Sequence, residues 1–122
     1  MAHSLPFQNL THIADQLVAG KISSVQVTQA VIDQTQAVEE RVNALLSTDT
    51  ADALAQAAAA DQRRAAGESR GPLDGVPIAM KDVIAVRDQP LTAGSKMLEN
   101  FVSPYDATVT TKLKDAGAVL WG

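Results

Sequence analysis

The chain has 122 residues, a formal net charge of −4 and no cysteine. This length suits one modest domain, and the lack of cysteine excludes disulfides and thiolate chemistry and fits a cytoplasmic location. The acidic balance gives no electrostatic reason to expect direct nucleic-acid binding. No apolar run reaches membrane-spanning length, no signal peptide is visible, and His3 and His12 are too isolated to predict a metal site.

The first part of the chain is predicted to be an entry arm followed by a pair of helices. The arm is residues 1–10, and a short helix follows over residues 11–19. Ser23 and Gln26 then form a capping-box pattern, which predicts a longer helix that ends near Glu40. The apolar stripe of this helix is predicted to be Val27, Ala30, Val31, Thr35 and Val38. We expect the two helices to form a hairpin that needs a partner surface.

A third helix is predicted in the alanine-rich segment. Residues 42–48 are compatible with a short strand, after which Thr50 can cap a helix that continues to Ala66. Arg63 and Arg64 lie near its carboxyl end, where the helix dipole favours cations. We interpret them as a solvated helix end, with an RNA or partner contact as the alternative.

The stretch from Gly71 to Asp82 is predicted to be a turn that leads into a strand. After Gly75, large apolar residues alternate with Pro77, Ala79 and Lys81, and this period of two is typical of a strand. Small neighbours leave space for the Lys81 amine to point into a cavity, while Asp82 should face the other way. Neutralising a lysine at pH 7 costs about 4.6 kcal/mol, so Lys81 can act as a base only in a dry apolar pocket. The alternative, which the pattern by itself favours, is an ordinary strand-end lysine in water.

The remaining residues predict a second strand beside the first. Residues 83–90 are expected to be a connection, and residues 92–95 either border a pocket or only make a turn, with Ser95 capping a turn through Leu98. Asp106 is predicted to cap a helix over residues 107–116, whose inward side chains are Val109, Leu113 and Ala116. A buried strand over residues 118–121 completes a strand–helix–strand unit, which suggests a parallel crossover. The predicted fold class is α/β, mainly helical over residues 1–67 and strand–helix–strand over residues 71–122.

Several blocks of this sequence resemble the amidase signature family. The run Gly-Pro-Leu-Asp-Gly-Val-Pro-Ile-Ala-Met-Lys-Asp at residues 71–82 looks like the lysine motif of that family. Residues 91–96, 103–109 and 113–118 resemble, in the same order, the A subunits of bacterial tRNA-dependent amidotransferases. The likeness runs from about Leu10 to the last residue. The expected architecture is therefore a helical layer followed by the first strands and helices of a mixed sheet, left incomplete.

The resemblance implies a chemistry in which Lys81 is the lysine of a Ser–Ser–Lys triad. Lys81 would accept a proton through a serine in a cis peptide, so that a second serine can attack an amide carbonyl. Backbone N–H groups would stabilise the oxyanion. In the amidotransferases the amide is that of glutamine, and the ammonia passes to the B subunit, which converts Glu-tRNA(Gln) or Asp-tRNA(Asn) to the amidated form. ATP and Mg²⁺ are expected on the B subunit, the small C subunit braces the pair, tRNA is contacted only through the complex, and this chain needs no cofactor.

The sequence departs from the family pattern at the serines. It contains no Gly-Ser-Ser or Gly-Gly-Ser cluster, and Ser95 and Ser103 do not lie in the matching motif. We therefore expect the N-terminal piece of a longer protein, with one catalytic residue of three and no glutaminase activity by itself. Two alternatives remain open: a general amidase acting on small amides, and a non-catalytic binding or assembly module that docks through the helical hairpin.

Overall fold

The computed structural model describes residues 4–122, so the prediction for His3 lies outside the described residues. Within this range three α-helices precede the first strand of a two-stranded parallel sheet, and 3-10 helices occur at Leu5–Phe7 and Lys96–Leu98. The main elements in chain order are α1 (Leu10–Val18), α2 (Ser24–Val42), α3 (Thr50–Ala65), β1 (Pro77–Ile78), α4 (Thr108–Asp115) and β2 (Val119–Leu120). The predicted α/β class is confirmed. None of these helices is both long and apolar enough to cross a membrane.

Helix α2 begins as its capping box predicts, but its buried face differs from the predicted stripe. The Ser23 side chain accepts a hydrogen bond from the Gln26 N–H, and the Gln26 side chain accepts one from the Ser23 N–H. The buried residues are Ser24, Val27, Thr28 and Ile32, whereas Ala30, Val31, Thr35 and Val38 are only half-buried. The predicted stripe was chosen almost entirely by apolar side chains and so omitted the buried polar residues Ser24 and Thr28. Ser24 is buried because its hydroxyl donates to the Gly75 carbonyl at 2.6 Å, which offsets its desolvation.

Two apolar clusters join the helices to the strands. The first contains residues of α2, α3 and the β2 region: Ile32, Ala53, Ala57, Val119 and Trp121. The second contains residues of α1 and α2 and the start of the first strand region: Ile13, Leu17, Val27 and Val76. Helix α2 lies closest to α3, since the alanine face of α3 allows close approach. α1 and α2 meet in the second cluster, and α3 and Val76 supply the partner surface that the predicted hairpin needs.

Strands β1 and β2 pair in parallel, as predicted, with α4 between them in the chain. Pro77 lies opposite Val119, and Ile78 lies opposite Leu120. Hydrogen bonds extend the pairing beyond the short strands, since the Trp121 N–H donates to the Ile78 carbonyl at 3.3 Å. β1 is nevertheless shorter than the predicted run from Val76 to Lys81. Residues 118–121 are all buried, which confirms the second buried strand region.

The segment between α2 and α3 is a loop, so the predicted strand over residues 42–48 is wrong. Asn43 has a φ of 50° and ends α2 in the left-handed conformation, and the Leu45 N–H donates to the Glu39 carboxylate at 2.7 Å instead of to a neighbouring strand. The predicted cap of α3 is wrong by one residue. Asp49 is the cap, because its side chain accepts a hydrogen bond from the Asp52 N–H at 2.9 Å.

Asp106 does not cap α4. Its carboxylate accepts a hydrogen bond from the Arg87 N–H at 2.7 Å and forms an ion pair with Lys114 at 2.8 Å. The Arg87 hydrogen bond and the Lys114 ammonium hold the pKa of Asp106 below its ordinary value. Ala107 occupies the cap position of α4 without a side-chain hydrogen bond. The Asp106 carboxylate thus ties the connection after β1 to α4.

The inward face of α4 is centred on Thr110, not on Val109 as predicted. Val109 is 46% exposed, whereas Thr110 is fully buried. The Thr110 hydroxyl donates to the Ala85 carbonyl at 2.7 Å, so this polar side chain is buried with a partner. Leu113 and Ala116 are half-buried, in partial agreement with the predicted face.

Arg63 and Arg64 are not a solvated helix end. Arg63 forms a 2.5 Å ion pair with Asp74, which is fully buried. Arg64 donates to the Asp74 carbonyl oxygen, and the Arg70 N–H donates to the Asp74 carboxylate at 2.9 Å. Burial raises the pKa of Asp74, but the Arg63 and Arg70 hydrogen bonds and the arginine charges outweigh it and hold that pKa below its ordinary value. The arginines therefore fasten α3 to the turn that precedes β1.

Candidate active site

A cavity of about 380 Å³ opens beside the carboxyl ends of β1 and β2. Its walls come from the loop between α2 and α3, from the segment after β1 and from the end of β2. This is the edge at which ligand sites form in parallel α/β sheets. Lys81 is one of the lining residues, together with Ser47, Asp49, Asp52, Arg87 and Trp121. The predicted catalytic lysine thus borders a cavity, as its small neighbours had indicated.

The turn before β1 is held so close to α2 and α3 that its central residue must be glycine. Gly75 has a φ of 84°, and a Cβ placed on it would lie 2.8 Å from the Ser24 Cβ and 3.1 Å from the Ala60 Cβ. The Gly75 N–H also donates to the Gly117 carbonyl at 2.9 Å. The chain therefore enters β1 from a fixed point on the helical layer.

Lys81 itself is exposed in this structure, and so are its neighbours Ala79 and Val83. The dry apolar pocket predicted around the amine is not formed by residues 4–122. The Met80 N–H donates to the Gly122 carbonyl, and Lys81 follows directly after this hydrogen bond. Its role as a proton acceptor stays a prediction.

Asp82 faces a partner other than Lys81, in line with the predicted opposite orientation. Its carboxylate accepts a hydrogen bond from the Thr92 N–H at 2.7 Å and another from the Thr92 hydroxyl. These two hydrogen bonds hold the pKa of Asp82 below its ordinary value. The segment around Thr92 therefore acts as a support for the strand end, and residues 92–95 do not line the cavity.

The two serines set aside in the sequence analysis lie elsewhere. Ser95 caps the 3-10 helix Lys96–Leu98 by accepting from the Met97 N–H, which confirms the predicted turn. Ser103 is buried, and its hydroxyl donates to the Tyr105 carbonyl at 2.7 Å. Neither serine belongs to the cavity lining. Ser47 does, and sequence reasoning missed it because it had assigned residues 42–48 to a strand.

The comparison with protein families agrees with this architecture. The family model described as "Amidase" matches residues 26–122, which include the helical layer from α2 onward, both strands and the cavity edge. The chain belongs to the amidase signature family. The resemblance first seen in the lysine motif is thereby confirmed.

Amidase relatives resemble the chain along most of its length. The A subunit of a glutamyl-tRNA(Gln) amidotransferase from Streptomyces coelicolor is 48% identical over 90% of the chain, and the one from Thermobifida fusca is 51% identical over 87%. The solved peptide amidase from Stenotrophomonas maltophilia is 34% identical, with a TM-score of 0.88 over 98% of the chain. The chain spans only 22% and 21% of the two amidotransferase relatives and 25% of the peptide amidase.

Proposed function

We propose that these residues are part of the glutamine-hydrolysing A subunit of a tRNA-dependent amidotransferase. In that protein Lys81 is the base that accepts a proton through a serine supplied by another part of the subunit. The ammonia released from glutamine passes to the B subunit, which uses ATP and Mg²⁺ to amidate Glu-tRNA(Gln) or Asp-tRNA(Asn), with the C subunit bracing the pair. The observation that best supports this proposal is the sequence identity, which is 48–51% to the A subunits of glutamyl-tRNA(Gln) amidotransferases and 34% to the peptide amidase.

Under this proposal, the exposed Lys81 needs cover from residues outside the described chain. A lysine can serve as a base near neutral pH only if it is desolvated, and residues 4–122 leave Lys81 exposed. The cover must then come from the serine-bearing part of the same subunit, which would dry the amine and deliver its partner together. We accordingly expect the 122-residue chain to release no ammonia from glutamine by itself.

The experiment compares the full-length protein with two lysine variants. Lys81→Ala is expected to lower ammonia release from glutamine by at least about 10³-fold, because members of a nucleophile–base unit fail together. Lys112→Ala is the matched control, since Lys112 is exposed on α4 and does not line the cavity; it should retain full activity. Retained glutaminase activity in Lys81→Ala would contradict the assigned role.

A general amidase is the second candidate, and the likeness to the peptide amidase structure favours it. Substrate profiling of the full-length protein separates the two, since the amidotransferase component should prefer glutamine and co-purify with subunits B and C. A preference for small or peptide amides without such partners would support the general amidase. A non-catalytic docking module is less well supported, because the face that α1 and α2 share is already buried against Val76.

A further inference from the structure

Lys81 lies after the end of β1, so the position of its amine depends on the local backbone. A lysine side chain is a flexible four-carbon stem, so its amine is placed only as well as the Cα that carries it. The Lys81 carbonyl accepts hydrogen bonds from the N–H groups of Val83 and Ile84, at 2.7 and 2.9 Å. The chain therefore turns sharply after Lys81, and a further restraint is needed to fix the direction of that turn.

Asp82 supplies this restraint through three hydrogen bonds to a segment ten residues away. Its carboxylate accepts from the N–H and the hydroxyl of Thr92, and its carbonyl accepts from the Ala93 N–H at 2.9 Å. Both its backbone and its side chain thus hold the same partner segment.

The partner segment is a hydrogen-bonded turn with two consecutive residues of positive φ. Ala93 and Gly94 have φ values of 48° and 68°, and the Ser95 N–H donates to the Thr92 carbonyl at 2.8 Å. A non-glycine residue in the left-handed region is uncommon and persists only where its surroundings determine it. The Thr92 hydroxyl also accepts from the Gly94 N–H at 3.2 Å while donating to Asp82. One hydroxyl therefore links the turn to the strand end.

We propose that Asp82 and Thr92 are positioning residues that set where Lys81 presents its amine to the reacting groups. The proposal rests on the proposed function, because it needs Lys81 to be the base. Thr92 does not line the cavity, whereas Asp82 does, with its carboxylate hydrogen-bonded to Thr92. Their effect on the reaction passes through the Lys81 backbone. A reacting group displaced by about 1 Å costs about 10²-fold in rate, which is the scale of effect expected when this link is lost.

The test uses the full-length protein, with its partner subunits if it purifies with them. Asp82→Ala removes both acceptor oxygens, and Thr92→Val removes the hydroxyl while keeping the branched shape. Both are expected to lower kcat about 10²-fold and to leave KM for the amide substrate within about twofold. Thr92→Ser keeps the hydroxyl and should restore kcat to near the wild-type value. The double variant should be no slower than the slower single variant, since both break one link.

A role in folding alone predicts a different pattern. It would lower the melting temperature and the amount of active protein without a selective loss of kcat in the folded fraction, and that result would overturn the proposal. So would a Thr92→Ser variant as slow as Thr92→Val, or a kcat unchanged in both Asp82→Ala and Thr92→Val. If Asp82→Ala does not fold, the Thr92 pair decides. Lys81→Ala in the same assay tests the proposed function separately. Unchanged activity in that variant would refute the role of Lys81 as the base, whatever the Asp82 and Thr92 variants show.

Discussion

Asp74→Asn should destabilise the chain strongly, because it leaves a half-buried arginine without its counter-ion. Asp74 is fully buried, and the Arg63 side chain with which it pairs is 23% exposed. Removing one partner of a buried ion pair costs about 3–5 kcal/mol. Since water still reaches part of the Arg63 guanidinium, we expect the lower end, about 3 kcal/mol. That loss is a large part of the about 5–15 kcal/mol that stabilises a typical domain.

Urea denaturation followed by helical circular dichroism measures this loss. Asp15→Asn is the matched control, because Asp15 is exposed on α1 and a surface change there should stay within about 0.5 kcal/mol. The reasoning about the buried pair would be refuted if Asp74→Asn cost no more than the control. Denaturation should be run at neutral pH, where the carboxylate is ionised.

The pH dependence of the same difference gives a second readout of this variant. The folded-state pKa of Asp74 lies below its ordinary value of 3.8, so ionised Asp74 contributes its full stabilisation above the unfolded-state pKa. That stabilisation is lost as the pH falls through the folded value. The gap between wild type and Asp74→Asn should therefore be constant from neutral pH to about pH 5 and close below pH 3.8. A gap that widened on acidification would have the wrong sign.

Two further substitutions test how the sheet is attached to the helices. Gly75→Ala should cost at least about 2 kcal/mol more than Gly67→Ala in the same denaturation assay; both glycines have positive φ, but a Cβ at Gly75 would lie 2.8 Å from Ser24, whereas Gly67 has nothing within 4 Å. Equal losses would mean that backbone conformation alone requires glycine. Gln56→Leu should cost about 1–3 kcal/mol, because the Gln56 amide bonds both the N–H and the carbonyl of Leu120 at 3.0 Å. Hydrogen exchange at the Leu120 amide should become faster, and unchanged protection would contradict that role.

Local chemistry predicted the parts of the fold whose partners are close in sequence. The Ser23–Gln26 capping box needs only residues three apart, and it forms as expected. The cap of α3 was mispredicted because two suitable side chains are adjacent, and the cap of α4 because the expected capping carboxylate has other partners. Asp49 takes the place expected of Thr50, and Asp106 instead bonds Arg87, which is 19 residues away. Such a choice depends on tertiary contacts that a local pattern does not contain.

At the candidate site too, local features were predicted and features that depend on distant residues were not. The alternation before Lys81 and the small residues beside it indicated a lysine at the edge of a cavity, and Lys81 lies there. The lining also contains Ser47 and Asp49, which lie in the loop between the packed helices α2 and α3. The solvent exposure of Lys81 could not be predicted either, because it depends on which other residues cover the side chain. The link from Asp82 to Thr92 spans ten residues of irregular chain, for which periodicity gives no signal.

The amide of Gln56 has a consequence for how this sheet avoids unwanted association. It occupies the outward-facing N–H and carbonyl of Leu120, the groups with which a foreign strand would pair. Unprotected strand edges are templates for aggregation and for the exchange of segments between molecules. One side chain of α3 thus protects the edge of β2 at Leu120 without an added strand. A strand from another molecule would find no free N–H or carbonyl at that residue.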